Sequence, residues 1–327
     1  MKALVQDRYG TSEVLRLENV DRPEPAAWGS AGEGRRRVGQ RRRLAHHARR
    51  AQGGPTHGPQ HLGRTGPRER IRGGDFAGTI DAVGPGVTGW QVGDMVLGED
   101  EATFAEYAAV DHSCLARKPD ALSFQEAAAL PLAAVTADLC LTRGEVETGH
   151  RVLVIGASGG VGTFAVQLAA VRGAIVTGVC STRNVDLVAS LGATHVVDYT
   201  RDDFTGAERS YDVVLDLVGN RGLRDLRRVV APGGRLVLSG GGNPGESLYL
   251  GPVGLLAKAG IFGRLLGPRV QIPRAVPDAQ RLTDLAGMAA RGEIRPVIDR
   301  TYPLADAAAA VRHLEAEHAR GKVVVTI

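Results

Sequence analysis

Residues 151–170 read RVLVIGASGGVGTFAVQLAA, and this stretch decides the fold. Val152, Leu153, Val154 and Ile155 form a short apolar run of the kind a buried parallel strand needs. A glycine turn follows, Gly156-Ala157-Ser158-Gly159-Gly160-Val161-Gly162. Phe164, Ala165, Val166, Leu168 and Ala169 then recur at helical spacing. Strand, glycine turn and helix together make a phosphate site. Bare backbone lets N–H groups approach a pyrophosphate, and the helix N-terminus adds the positive end of its dipole. Ser158, Gly159, Gly160, Val161 and Gly162 are therefore candidate contacts to a dinucleotide cofactor.

A rival fits the same residues. Gly156-Ala157-Ser158-Gly159-Gly160 also matches the G-x-S-x-G nucleophile elbow, which sits between strand and helix as well. A serine hydrolase would use Ser158 as nucleophile, with Asp216 and His313 following in the required chain order. Gly162 weighs against it, because a third glycine serves close packing of a helix on its strand.

Outward from this stretch the strand-like runs Ala174–Val179, His195–Val197, Asp212–Leu217 and Arg235–Leu238 alternate with helix-like segments. That alternation predicts an α/β protein with a doubly wound parallel (Rossmann) sheet. NAD-selective sheets carry Asp or Glu after the second strand, to accept from the ribose 2′-OH. Here Val179-Cys180 continues as Ser181-Thr182-Arg183-Asn184, and no carboxylate appears until Asp186. Hydroxyls and a guanidinium suit a 2′-phosphate, so Ser181 and Arg183 point to NADPH. The plainer alternative is that both only cap the next helix.

Size and composition set the limits. A chain of 327 residues is long enough for two domains with real cores. Met1–Val5 runs straight into Gln6, Asp7 and Arg8, so no secretory leader is expected, and no apolar run reaches the length of a membrane span. Cys114, Cys140 and Cys180 are scattered and none shows C-x-x-C spacing, so neither a cysteine zinc site nor a disulfide framework is indicated. Cys114 and Cys140 read as small core residues, and a reduced cytoplasmic compartment is the default.

The net charge of +4 belongs to one segment. Residues 26–72 hold twelve arginines against Glu33 and Glu69, a balance of +10, so the rest of the chain carries −6. The segment shows neither strand nor helix periodicity, and at face value it is a disordered basic arm. No aromatic platform is interleaved with its charges, which argues against nucleic-acid binding. His46 and His47 are adjacent and face different directions, which argues against a metal pair. A third reading explains more: arginine and glycine runs are what GC-rich coding DNA yields in a wrong frame. Codons chosen for Glu33 through Ala51, read one base later, give KVGAASVNAADWHTMRGEP. Frame returns before Gly66-Pro67 on this reading, so residues 26–66 are expected to be frameshifted or disordered.

SVNAADW, with Gly73-Gly74-Asp75-Phe76-Ala77-Gly78 and Val83-Gly84-Pro85-Gly86-Val87, resembles the zinc-free quinone oxidoreductase branch of the medium-chain dehydrogenase/reductases. Gly93-Asp94-Met95-Val96, Phe104-Ala105-Glu106-Tyr107, Glu126 to Pro131 and Ala319 to Val324 extend the likeness over nearly the whole chain. The resemblance implies a β-rich GroES-like catalytic domain (1–120), a Rossmann domain binding NADP (121–276) and a C-terminal return to the catalytic domain (277–327). It implies reduction of quinones, enones or related carbonyls by hydride transfer, and a homodimer. It also implies a metal-free site, since only Asp75 matches the Gly-His-Glu motif of the zinc enzymes and no histidine precedes it.

Several cofactor contacts come from the same resemblance. Thr136 would meet the nicotinamide amide, or else simply bond a helical carbonyl. Tyr199 would sit beside the 2′-phosphate, and Lys322 would reach back to the cofactor. Leu217, Val218, Ser239 and Gly240 lie just past the fourth and fifth strands, where a doubly wound sheet opens its crevice. No catalytic residue is named, because Gln40 stands where the shifted frame puts the pocket asparagine. Residues 250–270 are apolar with spaced Lys258, Arg264 and Arg269, and read as an interfacial helix or an insertion over a cleft. Residues 302–319 read as a helix entered after Pro303. A chain whose pocket segment is damaged would be an NADPH-binding pseudo-enzyme.

Overall fold

The computed structural model describes residues 1–25, 37–41, 67–206, 210–240, 269–273, 276–316 and 319–327, with 37–41 described by backbone alone. Two compact units result: Met1–Val135 with Val276–Ile327, and Thr136–Ala275.

The first unit opens with β1 (Lys2–Val5) antiparallel to β2 (Arg16–Asn19). A five-stranded sheet follows, built from β3 (Arg37–Arg41), β4 (Asp75–Val83), β5 (Met95–Glu99), β6 (Ala109–Asp111) and β7 (Leu115–Arg117). Its order is β6-β3-β4-β5-β7 and its neighbours are antiparallel. Phe76, Ile80, Val96, Val110 and Leu115 form its core. Helix α1 (Phe124–Ala128) starts at a capping box: the Ser123 hydroxyl accepts from the Glu126 N–H, and the Glu126 carboxylate accepts from the Ser123 N–H. Because α1 packs on β4 and β5, this unit runs past residue 120. Helix α2 (Pro131–Arg143) follows.

The expected structureless arm is corrected at two places. Arg37–Arg41 is a strand between β4 and β6, the Arg72 N–H donates to Leu4 O of β1, and Arg70 O accepts from the Gln6 N–H just after it. Ladder bonds use the N–H and C=O that every non-proline residue carries, so they form without side-chain periodicity. Residues 26–36 and 42–66 lie outside the described residues.

The second unit holds β8 (Arg151–Ile155), α3 (Gly160–Val171), β9 (Ile175–Cys180), α4 (Val185–Ser190), β10 (His195–Asp198), β11 (Tyr211–Asp216), α5 (Leu223–Val229), β12 (Val230–Leu238) and β13 (Arg269–Gln271). Six parallel strands run β10-β9-β8-β11-β12-β13. Chain order reverses between β8 and β11, which is the doubly wound arrangement with its switch point there. Leu153, Ile155, Val179, Val214, Leu236 and Leu238 are buried together. Each contributes about 1.5–3 kcal/mol by leaving water. Strand β12 begins at Val230, earlier than the sequence run, because a register shift opposite Tyr211 and Val213 absorbs Pro232-Gly233-Gly234.

Chain return to the first unit brings α6 (Ala279–Ala290), β14 (Ile298–Pro303), α7 (Ala307–Ala316) and β15 (Lys322–Thr326), with β14 and β15 parallel. The helix expected after Pro303 is entered there, through a 3-10 turn at Leu304–Asp306 that leads into α7, while Tyr302 and Pro303 themselves end β14. The helical reading of 250–270 is corrected at its end. Arg269 and Val270, the end of the apolar 250–270 run, lie in β13, while 250–268 fall outside the described residues. No described helix is long and apolar enough to cross a membrane.

Candidate cofactor site

The glycine turn is as tight as the sequence requires. Gly156 has φ +85°, in the left-handed region. The N–H groups of Gly156 and Ala157 both donate to Val179 O, at 3.2 and 3.0 Å, which ties the turn to β9. A Cβ at Gly162 would lie 2.0 Å from Gly156 O, so α3 meets the turn backbone to backbone. Gly159 N-caps α3 without a side-chain cap bond, so the first-turn N–H groups remain for an outside acceptor.

Three strand ends converge on this turn. A Cβ at Gly156 would stand 2.7 Å from Val218 Cγ2. One at Gly240 would stand 2.4 Å from the Val218 carbonyl carbon. The N–H groups of Ser239 and Gly240 donate to Asp216 O at 2.9 and 3.0 Å. Asp216 Oδ1 accepts from the N–H groups of Val218 and Gly219 at 3.1 and 2.9 Å. Its Oδ2 is buried without a partner, and burial pushes the carboxyl above the usual aspartate range. Leu217, Val218, Ser239 and Gly240 are thus brought together with Gly156 at the carboxyl ends of β8, β11 and β12. Asp216 carries the arrangement, a role the sequence reading missed; its signal was the acid that ends the run YDVVLD.

On the other side of the turn, Ser158 meets the loop after β9. Asn184 Nδ2 donates to Ser158 Oγ at 3.0 Å and to Ser181 Oγ at 3.2 Å. Ser181 stands at the N-cap of the helical turn Thr182–Asn184, but its side chain makes no cap bond to that turn's backbone and meets the Asn184 side chain instead. Arg183 is exposed on that turn. Tyr199 is exposed too, and its N–H donates to Cys180 O at 3.0 Å, so it stands beside the Ser181 loop. Sequence reasoning missed a carboxylate here. Asp198 Oδ2 accepts from Thr182 Oγ1 at 2.6 Å, and Oδ1 accepts from the Thr200 hydroxyl and N–H. The Thr182 hydrogen bond, with those from Thr200, holds the carboxyl below its usual range. Arg201 also lies against Oδ2, at 3.5 Å.

Thr136 is buried with its hydroxyl unpartnered. The plain alternative, a bond to a helical carbonyl, is not what forms. Lys322 is fully buried in the first unit, where Nζ donates to Asp75 Oδ2 at 2.6 Å. Asp75 Oδ1 accepts from the Leu132 N–H at 3.0 Å. Among the described residues no group of three or more His, Cys, Asp or Glu is placed to hold a metal ion.

The hydrolase constellation is engaged elsewhere. Ser158 accepts from Asn184, Asp216 from two backbone amides, and His313 Nε2 pairs with Asp299 at 2.9 Å. Among described non-glycine residues, positive φ occurs at Ala102 and Glu145, so Ser158 lacks the strained backbone of an elbow nucleophile.

A doubly wound sheet with this turn and crevice defines the class of dinucleotide-binding folds. Comparisons agree. The family model for an alcohol dehydrogenase GroES-like domain matches residues 54–120, and that for a zinc-binding dehydrogenase matches 191–325. The NADPH-dependent alkenal/one oxidoreductase of Arabidopsis thaliana chloroplasts is 32 % identical over 351 residues, covering 99 % of this chain and 79 % of the relative. A chloroplast envelope quinone oxidoreductase homolog of the same plant is 30 % identical, over 77 % of this chain and 78 % of its own. The solved quinone oxidoreductase from Coxiella burnetii superposes with a TM-score of 0.84 at 26 % identity, covering 100 % of this chain and 99 % of that one. The chain belongs to the quinone oxidoreductase-like branch of the medium-chain dehydrogenase/reductases. It is an oxidoreductase that uses a nicotinamide cofactor.

Proposed function

We propose that the protein is an NADPH-dependent, zinc-independent reductase of quinones, enones or related small carbonyls. The observation that carries the cofactor half is the loop after β9, where Ser181, Arg183 and Tyr199 gather and Asp198 has its oxygens engaged. Bound cofactor would supply the hydride, and the chain's own residues bind and orient. Ser158 and the first-turn amides of α3 would hold the pyrophosphate, Ser181 and Arg183 the 2′-phosphate, and the buried Thr136 hydroxyl the carboxamide.

Zinc independence is supported at Asp75. Gly74 stands where a zinc enzyme has histidine, and both Asp75 oxygens are engaged, by Lys322 Nζ and the Leu132 N–H. An ammonium balances the carboxylate at the spot where a metal ligand set would need it free. The relatives' names, alkenal/one and quinone oxidoreductases, support the acceptor class.

The test is to mix protein, NADPH and a series of quinones and enones and follow the reduced nicotinamide by absorbance. Turnover that survives dialysis against a chelator is expected. Cofactor binding without oxidation would sink the substrate reading and favour the pseudo-enzyme. That alternative has a specific support, since the GroES-like match begins only at residue 54, inside the suspect segment. Resequencing the DNA across codons 26–66 decides whether a frameshift is present.

A further inference from the structure

We infer that Asn184 is a positioning residue for NADPH, whose amide turns two serine hydroxyls outward as phosphate donors; this rests on the NADPH reading above. Asn184 is 1 % exposed and makes no helix-cap bond, although it stands at the N-cap position of α4. Its amide nitrogen instead bridges two segments that converge from separate strands. One is the glycine turn after β8, through Ser158 Oγ at 3.0 Å, and the other the loop after β9, through Ser181 Oγ at 3.2 Å.

The chemistry follows from counting donors. A primary amide nitrogen has two N–H groups, and each goes to one hydroxyl oxygen. A hydroxyl that accepts in this way keeps its own O–H to give. With the inward side of each oxygen occupied, that O–H is directed away from Asn184 and suits an anionic acceptor. Such charge-assisted bonds are short and strong. In the opposite amide orientation the oxygen would take both serine protons, and two buried N–H donors would be orphaned. The observed orientation orphans one acceptor, Asn184 Oδ1.

The two hydroxyls serve different parts of the ligand. Ser158 belongs to the turn that meets the pyrophosphate, which NADPH and NADH share. Ser181 belongs to the loop that meets the 2′ substituent, which distinguishes them. Asn184 thus couples general cofactor binding to selectivity through one buried group.

Calorimetric titration of the full chain with NADPH and with NADH tests this. In Asn184→Asp a carboxylate, which only accepts, turns both O–H groups inward. NADPH affinity is expected to fall about 100-fold and NADH affinity about 10-fold, a charged hydrogen bond being worth roughly one to two decades. Equal losses for both cofactors would mean a merely structural role and overturn the inference. Asn184→Leu, of similar shape and without charge, guards against a folding failure. It is expected to lower the NADPH-to-NADH preference about 5-fold, as loss of pre-organisation alone should do. In a Ser181→Ala background the same change should leave the preference unaltered, because the coupled group is gone. An undiminished preference in Asn184→Leu overturns the inference. Equal affinity of the unaltered protein for both cofactors overturns the NADPH reading itself, visibly and before any variant is made, and the inference with it.

Discussion

Gly162→Ala is the sharpest perturbation of the cofactor site. The added Cβ would lie 2.0 Å from Gly156 O and 2.9 Å from Ala157 C and Cα. Ordinary contact begins at 3.4 Å, so α3 and the turn must separate by about 3.4 − 2.0 = 1.4 Å along that line. Every atom met is backbone, so no side chain can rotate away. An exposed helical Gly→Ala gains up to about 1 kcal/mol from propensity, whereas overpacking costs about 1–3 kcal/mol, so the net is destabilising. A shift of that size also pulls the first-turn N–H groups off a bound pyrophosphate. Losing one charged hydrogen bond of about 2 kcal/mol weakens binding roughly 30-fold. The assay pairs thermal unfolding with calorimetric titration by NADPH. Gly287→Ala in α6 is the control, since its Cβ meets only the flexible tip of Arg291, at 3.3 Å. The control should hold or gain stability while Gly162→Ala loses both stability and affinity. Unaltered melting and binding in Gly162→Ala would refute the close approach of α3 to the turn.

Three further outcomes are expected. Thr136→Val removes a buried hydroxyl that has no partner, so the free protein should gain about 1 kcal/mol while the thermal shift produced by NADPH shrinks; a lower melting point with an undiminished shift would contradict the assignment. Asp75→Asn leaves the Lys322 ammonium buried with its carboxylate removed and should cost about 3–5 kcal/mol in denaturant titrations, with much of it restored by adding Lys322→Met. Asp216 is raised by burial, so its neutral form suits the fold, and its contribution is present below the ordinary aspartate pKa and lost as pH rises through the folded value. Relative to Asp216→Asn, the unaltered protein should therefore lose stability on going from about pH 4 toward neutrality, and melting curves in which the gap does not change would exclude this sign.

Elements whose side-chain period matches their structure were legible in the sequence. β8, the glycine turn and α3 declare themselves within twenty residues, because apolar run, glycines and helical spacing are all local. β13 was not, because three residues beginning with an arginine carry no periodicity. β3 was not, because its pairing is a matter of backbone groups alone. The site divides the same way. Gly162 and Ser181 follow from motif position, whereas Asn184 needs Ser158, a partner 26 residues away, before it has a role. Lys322 was expected at the cofactor; only three-dimensional proximity could reveal its bond to Asp75, 247 residues earlier. An orphaned hydroxyl such as that of Thr136 is invisible in one dimension, since it is defined by the absence of an acceptor around it.

That long-range pair has a consequence for biosynthesis. Asp75 waits for a lysine made 247 residues later. Strand β14 likewise finds its neighbour only in β15. The Thr136–Ala275 unit is continuous in sequence and can close while the ribosome is still at work, but the unit that precedes it on the nascent chain must remain unfinished. Chains that stop before β15 should therefore yield protein with a folded Thr136–Ala275 unit and an open, protease-sensitive first unit.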